Sequence, residues 1–348
     1  MTTPGNHQSV LLSKEAGGIG ERGLIERIRH RLPPPPASVV VAIGDDAAVA
    51  AVDRGALQVL TTDALVEGVH FERRFSTAAD IGHKALAVNL SDIAAMGGTP
   101  RFALLSLMLP DSATANDVDG LLDGLIPLAD TSGVALVGGN ITRSPGPLVV
   151  DVTLVGAVRP RRILTRSGGR PGDLLYVSGT IGAAAAGLAW LREHDGRAAT
   201  PEDDDLVDCV RRHCRPDPRT RLGGLLGRTR TARACMDLSD GLADAVRQVA
   251  EASGVGARIV TEKLPIHPGA ASWFARHGAD AVVASLSGGD DYELLFAVQS
   301  RSRKRLRMVE QQARGIPMTC IGELTAESGL LLERTGAVEP LPAGFVHF

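Results

Sequence analysis

Apolar residues recur at helical spacing from Glu21 to about Arg31, with Leu24, Ile25, Ile28 and Leu32 on one face, and Pro33-Pro34-Pro35-Pro36 ends that helix. The β-branched run Ser38-Val39-Val40-Val41-Ala42-Ile43 predicts a strand that stops at an acidic turn, Gly44-Asp45-Asp46-Ala47. A second strand, Leu57 to Thr61, runs into Thr62-Asp63. A long helical pattern follows from about Ala78 to Met96, in which Asn89 and Asp92 share a face with Lys84 one turn earlier. The plain reading makes that polar stripe the solvated side. The small residues that close the helix, Ala94-Ala95-Met96-Gly97-Gly98, predict close packing instead and raise Asp92 as a ligand. Arg101 to Leu109 reads as a buried strand, Ala115 to Ser132 as a helix, Val134 to Val137 as a strand ending at Gly138-Gly139-Asn140, and Leu148 to Val158 as a long strand.

The second half restarts the alternation. A strand Leu174–Ser178, a turn Gly179-Thr180-Ile181-Gly182 and an Ala-rich helix to about His194 are followed by a solvated helix start at Glu202-Asp203-Asp204-Asp205. Glycines at such a turn can let backbone N–H groups reach a phosphate, but more often they only permit the turn. Asp237-Leu238-Ser239-Asp240-Gly241 opens a helix to about Ser253, with Ser239 or Asp240 placed to cap it. Gly288-Gly289-Asp290-Asp291 precedes the strand Leu294–Val298, and the Arg-rich helix from Ser300 to Arg314 reads as a solvated face. Charge and proline at Arg159-Pro160-Arg161-Arg162 mark a boundary, giving a mobile arm over 1–20 and two domains over 21–160 and 161–348. The fold class is α/β (α+β).

Composition narrows the function. With 348 residues, 44% of them hydrophobic and 22% charged, the chain can bury a large core. Aromatic residues make up only 3% and the net charge is −3, which argues against a stacking platform for nucleic acid or a basic membrane surface. No apolar run approaches a membrane span, and the first residues lack a secretory pattern, so a cytoplasmic protein with reduced thiols is expected. Cys209, His213 and Cys214 would need two more ligands at recognisable spacing to hold zinc. Gly18-Ile19-Gly20-Glu21-Arg22-Gly23 matches a dinucleotide fingerprint formally but follows a polar tail rather than a strand, and a phosphate loop ending in Gly-Lys-Ser/Thr is absent.

What remains is oxygen chemistry. Asp45-Asp46, Thr61-Thr62-Asp63, Asn89-Leu90-Ser91-Asp92, Asp237-Leu238-Ser239-Asp240 and Asp290-Asp291 each set acids or hydroxyls beside apolar segments. Adjacent carboxylates repel and lose water on burial, so a fold that gathers them needs cations. Oxygen donors without His or Cys suit Mg²⁺, and Mg²⁺ held by separate carboxylates suggests polyphosphate chemistry.

Six motifs in order, Ile43-Gly44-Asp45-Asp46-Ala47, Thr62-Asp63 with Gly68-Val69-His70-Phe71, Lys84 through Gly97, Leu164-Thr165-Arg166-Ser167-Gly168, Asp237 through Leu242 and Gly288 through Leu294, resemble the thiamine-monophosphate kinase family, over about Gly20 to Phe348. The resemblance implies a two-domain aminoimidazole ribonucleotide synthetase-like fold and a homodimer whose N-terminal sheets pair into a barrel. It implies transfer of the ATP γ-phosphoryl group to thiamine monophosphate by direct in-line attack, without a covalent intermediate or a named general base. By position, Asp45, Thr61, Thr62, Asp63, Asp92, Asn140, Asp237 and Asp240 would hold several Mg²⁺ ions; Gly139, Asn140, Arg166 and Ser239 would contact ATP; and His70, Asp290 and Phe345 would line the thiamine monophosphate site.

Three positions depart from the family pattern. Asn140 stands where aspartate is usual and removes a charge, Asp290 stands where glutamate also occurs, and Phe345 replaces a tyrosine. The alternatives are another ATP-dependent synthetase of the same fold, or a weakened relative that only binds nucleotide or thiamine phosphate. Synthetases that use a reactive cysteine are disfavoured, because Gly17 to Gly23 and the last five residues contain none.

Overall fold

The computed structural model describes residues 20–44, 47–194 and 201–344. Helix α1 (Glu21–Arg31) buries Leu24 and Ile28 and leads through the prolines to a ribbon of β1 (Val39–Val41) and β2 (Val49–Ala50). Next come β3 (Leu57–Val66), α2 (Ala78–Ala95), β4 (Thr99–Leu109), α3 (Ala115–Ser132), β5 (Ala135–Arg143) and β6 (Val149–Val158), which form a sheet in the order β3-β6-β4-β5. The β4 and β5 strands are parallel, with α3 as their crossover, and the other pairs are antiparallel.

Two strands run further than the hydrophobic pattern predicts. The β3 strand passes through Thr61-Thr62-Asp63 to Val66 because β6 pairs with it along its whole length. The β5 strand passes through Gly138-Gly139-Asn140 to Arg143, and glycine is what lets it do so: a Cβ at Gly139 would lie 1.9 Å from the Leu105 carbonyl oxygen.

Helices α2 and α3 cover one face of this sheet. Each starts with a reciprocal capping box, Thr77 with Asp80 and Thr114 with Asp117. Their backbones touch, since a Cβ at Gly124 would sit 1.7 Å from the Ala79 carbonyl oxygen and one at Gly82 would sit 1.9 Å from that of Leu121. Thirteen of the 18 residues of α2 are buried, Lys84, Asn89 and Ser91 among them, so the polar stripe is not a solvated face. The helix lies between the two halves of the molecule, against β3 and β6 on one side and elements of the second half on the other.

That second half contains β7 (Asp173–Ser178), α4 (Ala183–Glu193), α5 (Asp204–Cys214), α6 (Thr220–Thr229), β8 (Ala232–Asp237), α7 (Leu242–Ser253), β9 (Gly256–Val260), α8 (Pro268–Arg276), α9 (Ala281–Ser287), β10 (Leu294–Gln299), α10 (Arg303–Gln312), β11 (Met318–Thr325), β12 (Leu330–Arg334) and β13 (Ala337–Pro340). The strands order as β13-β12-β9-β11-β7-β10-β8, antiparallel except for β12 beside β9. One face packs on α7 and the other on α6 and α10. Through α6 and the end of β8 this half grips α2: a Cβ at Gly223 would lie 2.0 Å from the Ala94 carbonyl oxygen.

One local expectation fails. Gly241, at φ 91°, occupies the N-cap position of α7 in place of Ser239 or Asp240. The backbone there is pressed against the loop after α9, where a Cβ on Gly241 would lie 2.7 Å from the Gly288 carbonyl oxygen, so the chain enters the helix without room for a side-chain cap.

Candidate functional site

Period-two alternation splits Thr61-Thr62-Asp63 between the two faces of the first sheet. Thr61 and Asp63 face α2, where the Thr61 hydroxyl donates to Asp92 Oδ2. Thr62 lies on the opposite, exposed face and donates to Asp151 Oδ1 at 3.0 Å. At the end of β8, Asp237 is buried and accepts a hydrogen bond from Ser91 Oγ of α2 at 2.8 Å. One helix thus brings together acids from β3, α2 and β8.

Their electrostatics show what is missing. Burial, then repulsion from Asp92, pushes Asp237 up to about 7. The Asp63 carboxyl is raised by the same causes, burial first and then the charges of Asp92 and Asp237, and Asp92 is raised by burial although Thr61 and Arg166 pull it down. Arg166 is fixed by Gln248, which in turn donates to Asp244 Oδ2 at 2.5 Å. One guanidinium cannot balance three carboxylates.

Two neighbouring acids, Asp290 and Glu293, are balanced by cations. Lys84 Nζ, buried in α2, donates to Asp290 Oδ2 at 2.8 Å and to the His70 carbonyl oxygen at 3.3 Å, while Tyr292 OH donates to Asp290 Oδ1 at 3.0 Å. Burial raises Asp290, yet Lys84 leads the contacts that bring it below the usual carboxylate range. His70 Nδ1 accepts the Val66 N–H at 3.0 Å, which leaves the proton on Nε2. The Asp290 N–H donates to the Ser239 carbonyl oxygen at 2.7 Å, so the two acidic loops are joined by main chain. Asp290 and Tyr292 both hold positive φ, 68° and 48°, a strained backbone that carries the carboxylate to Lys84.

Behind this loop Glu293 is buried in a ring of donors: Ser178 Oγ at 2.5 Å, Arg219 Nε at 2.6 Å, and Arg219 Nη2. Asp291 accepts N–H groups from Gly182 at 2.7 Å and Ala184 at 3.3 Å at the start of α4, although burial still pushes it up to about 7. The glycine turn 179–182 therefore already holds a carboxylate, which closes the phosphate reading of that turn.

The expected donors do not form one cage. Thr61, Asp63, Asp92 and Asp237 meet on the helix side. Thr62 and Asn140 lie on the open face, where Ser106 pairs with both Asn140 and Asp151, leaving Asn140 about 10 Å from Asp151, two strand spacings away. Asp45 and Phe345 lie outside the described residues, and Asp240 sits beside Gly344 at the entry to α7. Among the described residues no three His, Cys, Asp or Glu groups close into a ready metal cage, and Cys209, His213 and Cys214 do not converge on zinc. Burial pushes the Cys209 thiol up to about 12 and that of Cys214 to about 11, and it raises Cys235 as well, so none of these three is a nucleophile at neutral pH.

Sequence reasoning missed Asp151 and the pairing of Glu293 with Arg219, and it placed Ser91 and Tyr292 within its motifs without giving either a role. Asp151 and Thr153 did leave a trace: two polar residues at i and i+2 in an otherwise apolar strand.

The chain matches family models over residues 44–158, the AIR synthase related protein N-terminal domain, and 170–333, the corresponding C-terminal domain. It is 39% identical to the thiamine-monophosphate kinase of Escherichia coli over 335 residues, covering 94% of this chain and 98% of that protein. This chain belongs to the thiamine-monophosphate kinase family. The thiamine-monophosphate kinase structure from Stenotrophomonas maltophilia superposes with a TM-score of 0.81 at 37% identity, covering 90% of this chain and 96% of that one. A solved complex described as AaThiL with AMPPCP and TMP matches at 31% identity and a TM-score of 0.75, over 95% of this chain and 97% of that one. The two-domain AIR synthase-like fold of the thiamine-monophosphate kinase family is thus the fold observed here.

Proposed function

We infer that this chain transfers the γ-phosphoryl group of ATP to thiamine monophosphate, giving thiamine diphosphate and ADP. The observation that carries the reading is the set of under-compensated carboxylates Asp63, Asp92 and Asp237, gathered by one buried helix beside the well-compensated pair of Lys84 and Asp290. An oxygen of the substrate phosphate attacks the γ-phosphorus while the bond from that phosphorus to the β-bridging oxygen breaks, and ADP leaves. The attacking oxygen is already anionic, so the protein positions groups and needs no base.

The donor set fits Mg²⁺: all oxygen, short of positive charge, and too open to enclose an ion without help from phosphate oxygens and water. Asp63, Asp92 and Asp237, with Thr61, would hold it, and Asp45 and Asp240 would complete the set. Bound there, Mg²⁺ would neutralise charge on the transferring phosphoryl group. Asn140, with Thr62 and Asp151, offers a weaker donor group on the open face. Arg166 and Ser239, with Gly139 and Asn140, would contact ATP, and His70 with Asp290 would orient the substrate, where Phe345 would stack.

We propose domains over 21–160 and 161–348, joined at the turn that contains Pro160–Arg162, and a cytoplasmic enzyme. Among the described residues no helix is long and apolar enough to cross a membrane. The uncovered face of the first sheet, with Leu60 66% and Leu104 37% exposed, supports a homodimer in which two such sheets close into a barrel.

The test is to mix purified protein with ATP, Mg²⁺ and thiamine monophosphate and follow thiamine diphosphate and ADP by chromatography, with free thiamine and EDTA controls. Matched appearance of both products from the monophosphate alone is expected. ATP binding without either product would defeat the kinase reading, and Asn140→Asp would then show whether the lost charge is the cause.

A further inference from the structure

Away from the acids, at the C-terminal end of α2, the two halves of the molecule enclose a cleft of about 740 Å³. Six arginines line it: Arg54, Arg101, Arg159, Arg162, Arg221 and Arg228. Asp53 is the sole acid in the wall, and it already pairs with Arg101 at 2.5 Å. Arg221 and Arg228 donate to Gln312, a neutral acceptor, through its carbonyl oxygen at 2.8 Å and its side-chain oxygen at 3.1 Å. Among the described residues no carboxylate pairs with Arg54, Arg159 or Arg162.

The bland account is that these arginines neutralise the C-termini of α2 and α3, which open here and carry no basic residue in their last turns. Each helix end is worth about half a negative charge, so together they offset about one of the five surplus positive charges. About four remain in a protein whose net charge is −3. The cations are all guanidinium, with no lysine in the wall, and guanidinium forks match phosphate oxygens two at a time. The volume suits a small ligand.

We propose that this cleft is a second anion site, separate from the acid cluster, that binds a small polyphosphate, either free or as the diphosphate of a nucleotide. The repulsion among the arginines is relieved when the anion enters, and the site spans both halves of the chain beside the helix that carries Asp92.

Isothermal titration of the full chain in EDTA tests this, because without cations the acid cluster repels phosphate. Inorganic pyrophosphate and ADP are titrated separately into wild type, into Arg54→Ala/Arg159→Ala, and into the control Arg303→Ala/Arg305→Ala, which removes equal charge from exposed positions of α10. Wild type should bind one equivalent, the cleft variant should bind at least about tenfold more weakly, and the control should stay within about twofold. Equal binding of the two titrants assigns the free anion, and tighter ADP binding assigns the nucleotide; either supports the site. No binding at millimolar titrant, or equal losses in both double variants, overturns it. Circular dichroism checks folding, and Arg159→Gln alone, expected to weaken binding about threefold, keeps the test open if the double variant unfolds.

Discussion

Two sets of acids stand side by side in this protein. Asp92 and Asp237 share one guanidinium, Asp63 faces only other acids, and all three are pushed toward their neutral forms, whereas Asp290 and Glu293 are each bonded to a cation. In sequence the two sets look alike, as acids set beside apolar segments. The difference teaches that carboxylates kept at a cost and gathered against one another mark where a cation and phosphate chemistry belong, and carboxylates with built-in partners mark the frame that aims them. Asp291, raised as far by burial but held alone by two backbone N–H groups, belongs with the frame.

The largest effect that could break this contrast comes from Asp63→Asn. Turnover should fall by about a thousandfold as a charge-bearing donor is lost, while the protein in EDTA should melt about 2 °C higher because a buried repulsion is gone. A coupled assay and calorimetry read the two, and retained turnover or a lower melting point would contradict the contrast. Arg219→Ala asks the converse question. It leaves Glu293, 1% exposed, without its main partner and should cost about 3 kcal/mol in urea unfolding, with Glu293→Gln in the same chain recovering part of the loss. A change below about 0.5 kcal/mol would show that the pair frames nothing.

Lys84→Met unties Asp290 from α2. The expected result is a KM for thiamine monophosphate about thirtyfold higher with a smaller change in kcat, and a kcat-only defect would move Lys84 from orientation to chemistry. The smallest effect is a pH dependence. His213 lies 3.7 Å from Asp290, too far for a hydrogen bond, and complete burial pushes it down to about 3. The folded protein declines a proton that the unfolded chain accepts below about pH 6.5, so this contribution is whole above that pH and falls as pH drops toward 3, by about 1.4 kcal/mol per unit. His213→Asn should flatten the stability profile between pH 6.5 and 5 by about that slope, and an unchanged profile would refute the assignment.

The first half of the fold was legible because its helices and strands are locally periodic: α1, α2, α3, β4 and β6 fall close to where the pattern puts them. The second half was less so. Strands β8, β9, β11, β12 and β13 were not anticipated; β9 and β12 pair across about seventy residues, and β13 is a four-residue strand exposed throughout, without an alternating pattern. In the site, the acids announced themselves through local repetition, but their sorting did not. Whether Thr61 or Thr62 faces α2 depends on register with β6, and the Glu293–Arg219 pair joins residues 74 apart in sequence.

Three glycines, Gly82, Gly124 and Gly223, press α2 against α3 on one side and α6 on the other, and the atoms in the way of any added methyl are main-chain carbonyl oxygens of Leu121, Ala79 and Ala94. Lys84, Ser91 and Asp92 ride on that helix. Among mutant alleles, lesions at these glycines would thus be scored as catalytic defects although they touch no substrate. Since every residue type has a carbonyl, changing the side chain at Leu121, Ala79 or Ala94 does not remove the obstruction, and relief requires the helices themselves to move apart.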